Sequence, residues 1–162
     1  MVDLSVKIGD VTLKNPIMPA SGAFSWDYGD VIDLNRLGGL VAKTICREPR
    51  LGNPTPRMAE TEAGIIQSIG LPGKGIDYFL ENIVPEYNKW EPPLIVSVSA
   101  DTAEDFAAMS RDLSVDGVDV VEVNISCPTK ATAAVKSKMP MPGNHCTPKQ
   151  MTVTACLLCI VC

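Results

Sequence analysis

The chain has 162 residues and a mass of 17.3 kDa, with 46% hydrophobic and 20% charged residues. That is enough apolar material for one domain with a core, which excludes a disordered charged tail. A net charge of −5 and a pI near 4.8 give a nucleic-acid surface no electrostatic support. The opening MVDLSVKIGDVTLKNP lacks a basic segment followed by an apolar run, and no stretch of 18 apolar residues occurs. The sequence therefore predicts a cytoplasmic protein with no signal peptide, membrane span or nucleic-acid partner.

Taken in chain order, Leu4–Ile8 and Val11–Lys14 alternate apolar and polar around Gly9-Asp10, which predicts a β-hairpin. Ile17–Ala20 reads as a short buried strand entering the Ser21-Gly22 turn. Val31, Ile32, Leu34 and Leu37 have helical spacing, which predicts a helix over 28–37 that stops at Gly38-Gly39. Leu40–Ala42 is a second buried strand, ending at Lys43-Thr44. Residues 46–73 are rich in Pro, Gly and Arg and read as a long functional loop. Gly75–Tyr87 is predicted as an amphipathic helix with Ile76, Phe79, Leu80, Ile83 and Val84 on one side. Leu94–Val98 is a third strand. Asp101 or Thr102 caps a helix reaching Leu113, with Phe106, Met109 and Leu113 inward. Val118–Val123 is a fourth strand, running into Asn124-Ile125-Ser126-Cys127-Pro128.

Strands alternating with crossovers imply a parallel sheet flanked by helices, a fold of the α/β class. Each predicted strand ends in polar residues, Ser21, Lys43-Thr44, Ser97 and Asn124, where such sheets build their sites. Taken singly, these residues have two readings. Lys43 either snorkels out of the core or presents a cation to an anionic ligand. The glycines of Gln67-Ser68-Ile69-Gly70-Leu71-Pro72-Gly73 either make a turn or admit a ligand close to the backbone. Cys127 is either a small core residue or a nucleophile or base held rigid by Pro128.

The last 40 residues differ from the rest. All 19 acidic residues lie at or before Glu122, and Val123–Cys162 contains no aromatic residue. Cys46 and Cys127 lie singly in the sequence, whereas Cys146, Cys156, Cys159 and Cys162 crowd the end. The C-x-x-C-x-x-C run lacks a fourth ligand and the usual turn residues, so no metal site is expected there.

The segments NPIMPASGAF (15–24), AKTI (42–45), PRLGNPTPRMAE (49–60), QSIGLPGKGIDYF (67–79) and VEVNISCP (121–128), in this order and spacing, resemble the dihydroorotate dehydrogenase family. They are most similar to the class 1B catalytic subunit. Class 2 members carry an N-terminal membrane helix and a serine base; class 1 members use cysteine. The resemblance implies a (β/α)8 TIM barrel with FMN over the C-terminal strand ends and a homo-oligomer of full-length subunits. It also implies oxidation of (S)-dihydroorotate to orotate in pyrimidine (UMP) biosynthesis.

Carried over by motif, Ser21, Lys43, Thr44, Ser97 and Asn124 contact FMN, with Ser97 standing where the family has an asparagine. Lys43, Gln67, Ser68, Ile69, Gly70, Leu71 and Asn124 contact substrate, and Cys127 is the catalytic base. Class 1B further implies an electron-transfer partner subunit with FAD and an iron–sulfur cluster, and NAD+ as final acceptor; class 1A would use fumarate. A dihydropyrimidine dehydrogenase, which shares the NISCP-type motif, is the alternative enzyme, and a decayed non-enzymatic fragment the alternative without catalysis.

The chain departs from the family at Gln67, where Asn is usual, and at Thr129, where the resemblance stops. A (β/α)8 barrel needs about 250 residues. The expectation is therefore residues 1–128 as about the first four β/α units behind an N-terminal β-hairpin. Residues 129–162 are expected to be an anomalous tail, frameshifted or disordered, and the chain as written to be inactive.

Overall fold

The computed structural model describes residues 2–125 and the two-residue strand 151–152. The expected N-terminal hairpin is present as β1 (Val6–Ile8) and β2 (Val11–Leu13), paired antiparallel around Gly9-Asp10. The main sheet is parallel with strand order β3-β6-β7-β8, comprising β3 (Leu40–Ile45), β6 (Leu94–Val98), β7 (Val120–Val123) and β8 (Met151–Thr152). Its three long strands are runs of β-branched and aliphatic residues, as strands covered on both faces require.

Alternation along these strands separates two cores. Ala42, Val96, Val98, Val121 and Val123 face the helices and pack with Ile76, Phe79, Phe106, Met109 and Leu113. Val41, Ile95 and Val120 face the other way and pack against Ile8 and Val11 of the hairpin. The hairpin thus covers the second face near the N-terminal ends of the strands, leaving the C-terminal ends of that face to polar residues.

Helix α3 (Ala103–Asp112) lies where the sequence places it. Thr102 caps it: its Oγ accepts from the Asp105 N–H at 3.1 Å and donates to the Asp105 carboxylate at 2.9 Å. The predicted helix over Gly75–Tyr87 is present but not uniformly α. It consists of α1 (Gly75–Tyr78), a π-helical turn (Phe79–Ile83) and α2 (Val84–Tyr87). Pro85 has no N–H to donate, and the Val84 N–H reaches back five residues to the Phe79 carbonyl, which widens the turn. Ile76, Phe79, Val84 and Tyr87 are buried.

Three expectations are corrected. Ile17–Ala20 is not a strand: Ile17 is 63% and Met18 42% exposed. Pro16 and Pro19 remove two ladder donors from that run. The sheet's fourth strand is instead β8, paired with β7 through Val121↔Met151 and Glu122↔Thr152. The helix over 28–37 is replaced by two 3-10 turns, Trp26–Asp30 and Leu34–Arg36. There the Asp33 carboxylate accepts from the Asn35 N–H at 3.0 Å, a local bond that competes with helix continuation. Finally, the long segment 46–73 contains a hairpin of its own, β4 (Met58–Thr61) with β5 (Gly64–Gln67).

Candidate functional site

The site begins with an irregularity in β3. Ala42 pairs with Val96 and Ile45 with Val98, so Lys43 and Thr44 together oppose the single residue Ser97. Such a bulge turns two neighbouring side chains toward one side of a sheet, and bulges gather next to active sites. Here it places a cation and a hydroxyl side by side on the C-terminal half of the polar face.

Hydroxyls then join three segments. Ser21 Oγ and Thr44 Oγ1 lie 2.9 Å apart, and Ser21 Oγ also accepts from the Thr44 N–H at 3.0 Å. Thr44 Oγ1 lies 2.9 Å from Ser97 Oγ. Thr44 and Ser97 are buried and Ser21 half-buried. Three hydroxyl protons serve two links, so one O–H of the chain is always left to donate to something else. Next to Ser21, Gly22 adopts φ +78°, a conformation costly for residues with a Cβ, and the Lys43 side chain runs past it, with Cγ 3.8 Å from where that Cβ would stand. Lys43 itself is exposed.

On the neighbouring strand, Ser97 is in register with Glu122, and the Asn124 N–H bonds to the Val98 carbonyl at 2.9 Å. By alternation Glu122 and Asn124 share Val120's face with Ser97. The structure thus gathers Ser21, Lys43, Thr44, Ser97 and Asn124 at one end of one sheet face. It adds Glu122, a carboxylate that sequence reasoning passed over. The signal was available, since an acidic residue inside an apolar strand run marks a lined cavity or a paired charge.

The loop Gln67–Leu71 is braced by its neighbours. Ser68 N–H donates to the Arg57 carbonyl at 2.8 Å, and Asn53 Nδ2 donates to the Ser68 carbonyl and hydroxyl at 3.1 and 2.7 Å. Gly70 takes φ +86°, and a Cβ there would meet the Asn53 backbone nitrogen at 2.5 Å. Leu71 follows in the left-handed region at φ +52°. The Gln67 amide oxygen is turned onto its own loop, accepting from the Ile69 N–H at 3.3 Å. The residues after the loop, Pro72–Gly75, meet Lys43 and Thr44 in the wall of a cavity of about 430 Å³. Its aromatic lining includes Phe24 stacked on Tyr28, and Tyr78, whose ring lies 4.2 Å from Lys74 Nζ. Burial raises the Tyr87 phenol in that wall above its ordinary value; hydrogen bonds to Ser25 and Trp26 oppose the shift and the Asp27 charge adds to it. Cys127, residues 129–150 and the C-x-x-C-x-x-C run lie outside the described residues.

The family model for dihydroorotate dehydrogenase matches residues 3–156. The chain belongs to the dihydroorotate dehydrogenase family. Several curated relatives are named dihydroorotate dehydrogenase B (NAD(+)), catalytic subunit. That of Thermoanaerobacter sp. is 43% identical over 129 residues, covering 78% of this chain and 43% of the relative. That of Desulforamulus reducens is 42% identical over 154 residues, covering 93% and 49%. That of Listeria welshimeri is 44% identical over 128 residues, covering 77% and 42%. The chain spans about half the length of the curated relatives it matches. A crystal structure of the Eimeria tenella enzyme in complex with ferulenol matches with a TM-score of 0.59 at 22% identity, over 83% of this chain and 40% of that one. That likeness concerns the fold, and it assigns the parallel sheet to the α/β barrel class. Among the described residues no helix is long and apolar enough to cross a membrane.

Proposed function

We propose that this chain contributes the first strand ends of a flavin site for oxidation of dihydroorotate to orotate. The observation that carries the reading is the Ser21–Thr44–Ser97 hydroxyl chain beside Lys43, at the C-terminal end of a parallel sheet in a member of this family. The donor set suits FMN: the flavin's pyrimidine ring offers carbonyl oxygens and ring nitrogens, to which hydroxyls, an asparagine amide and an ammonium are complementary. FMN supplies the hydride acceptor.

The chain's own residues do the rest. Lys43 places positive charge where negative charge accumulates, on ligand or substrate carboxylate. The hydroxyl chain keeps one donor available and adjusts which end presents it. Asn124 reads amide-like edges from the next strand. Gln67–Leu71, held rigid on Asn53, presents backbone and side-chain polar groups to substrate. Cys127 removes the ring proton as thiolate while the hydride leaves from the adjacent carbon, so two electrons and two hydrogens depart and the ring double bond forms. The words "catalytic subunit" and "NAD(+)" in the relatives' names support a separate partner subunit and NAD+ as acceptor; the reading extends to FAD and an iron–sulfur cluster in that partner, and to a homo-oligomer of the full-length enzyme, on the class 1B resemblance alone.

The chain as written is expected to be colourless and inactive, so the site is tested in a full-length version that carries residues 1–128, by dihydroorotate-dependent dye reduction with flavin content measured. There Cys127→Ala should keep the flavin and lose about 10²–10⁴ in rate. Flavin-free full-length protein, or turnover of dihydrouracil in place of dihydroorotate, would overturn the reading.

A further inference from the structure

A second cleft, of about 570 Å³, opens beside the aromatic cavity and shares with it only Pro72, Gly73 and Lys74. The rest of its lining is Pro49, Arg50 and Leu51. Two cations and no carboxylate therefore line one concave surface. The chain's net charge of −5 repels anions at long range, so any anion drawn here is drawn by these two groups.

The backbone holds the two cations together. Arg50 N–H donates to the Gly73 carbonyl at 2.8 Å, and Gly73 N–H to the Arg50 carbonyl at 2.9 Å, an antiparallel pair that sets Arg50 beside the residue preceding Lys74. Lys74 is steadied at its tip: Nζ donates to the Tyr78 hydroxyl at 3.1 Å and lies 4.2 Å from that ring's centre. Arg50 lacks any such support. Among the described residues the ion pairs are Arg47 with Asp112 and Lys89 with Glu86, and neither cleft cation belongs to one. Arg50 is partly exposed, yet its Nε is shut off from solvent with no acceptor. A charge partly withdrawn from water without a counter-ion is costly, and a bound anion recovers that cost. The terminal N–H groups of a guanidinium form a planar fork that matches phosphate oxygens, and the ammonium adds a second charge. A phosphate dianion answers both cations, a carboxylate only one. Pro49, Pro72 and Leu51, which is 95% exposed, supply apolar walls for an organic body attached to the phosphate.

We propose that Arg50 and Lys74 form a binding site for the phosphate group of a small organic phosphate, separate from the strand-end site and independent of its reading as a flavin site. The probes are inorganic phosphate and phenyl phosphate, titrated by calorimetry at constant ionic strength into a full-length version that carries residues 1–128, with flavin content read from absorbance. The variants are Arg50→Gln and Lys74→Gln, with the exposed Arg36→Gln as control. The expected result is one phosphate per chain, with phenyl phosphate bound more tightly than inorganic phosphate. Its Kd should rise about tenfold or more in Arg50→Gln and about threefold or more in Lys74→Gln, and stay unchanged in Arg36→Gln. Lys74 is exposed, so its variant keeps the fold; the thermal unfolding midpoint without phosphate checks Arg50→Gln. No binding by the wild type, or equal binding by the wild type and Lys74→Gln, would overturn the site. Inorganic phosphate bound as tightly as phenyl phosphate would overturn the organic ligand. A flavin-free sample that binds phosphate in this pattern counts against the flavin reading alone and supports the phosphate site.

Discussion

Thr44→Val is the sharpest probe of the hydroxyl chain. Valine keeps the β-branched shape, so it suits β3 and opens almost no cavity at a residue 7% exposed. What it removes is Oγ1, and with it both 2.9 Å contacts, to Ser21 and to Ser97. Ser21 Oγ still accepts from the backbone N–H of residue 44. Ser97, at 0% exposure, is left with no partner, and an orphaned buried hydroxyl costs about 1–3 kcal/mol. Ser97→Ala should cost less, about 0.5–1.5 kcal/mol, because Thr44 Oγ1 keeps Ser21. The double variant removes the orphan along with its lost partner. Its cost should therefore fall short of the sum of the single costs by about 1–2 kcal/mol, well beyond the scatter of independent sites. Urea denaturation of the flavin-free protein measures all four corners of the cycle, provided the m values agree. A double variant whose cost equals the sum of the singles would refute the chain as a coupled unit.

Gly70→Ala should destabilise the protein by at least about 1–2 kcal/mol, since the left-handed backbone alone costs that much, and the new Cβ adds a clash with Asn53 backbone. The denaturation midpoint reads the stability, and in a full-length version carrying this loop a raised KM for dihydroorotate with little change in kcat would show the loop's part in binding. Thr102→Ala removes the cap of α3 and should cost about 1 kcal/mol, read from the same midpoint. Tyr87 holds its proton more tightly when folded than when unfolded, so its contribution to stability is intact below the ordinary phenol value of 10.0 and is lost as pH rises through the raised folded value. Thermal unfolding midpoints should therefore fall above pH 10, and less steeply in Tyr87→Phe.

Local pattern alone was enough for much of this protein. The aliphatic runs at 40–42, 94–98 and 118–123 can only be covered strands, and the β1–β2 turn and the Thr102 cap are written in consecutive residues. Motif order likewise pointed to the family and to Ser21, Lys43, Thr44, Ser97 and Asn124. Tertiary structure decided how those residues are arranged. The bulge that sets Lys43 beside Thr44 exists only in the register between β3 and β6. The hydroxyl chain spans 23 and then 53 residues of sequence, distances at which no periodicity carries information. The same holds for two of the three corrected expectations, the run at 17–20 and the helix over 28–37. There prolines and an aspartate side chain compete for backbone hydrogen bonds, and the outcome depends on whether a neighbouring strand is present to complete the ladder.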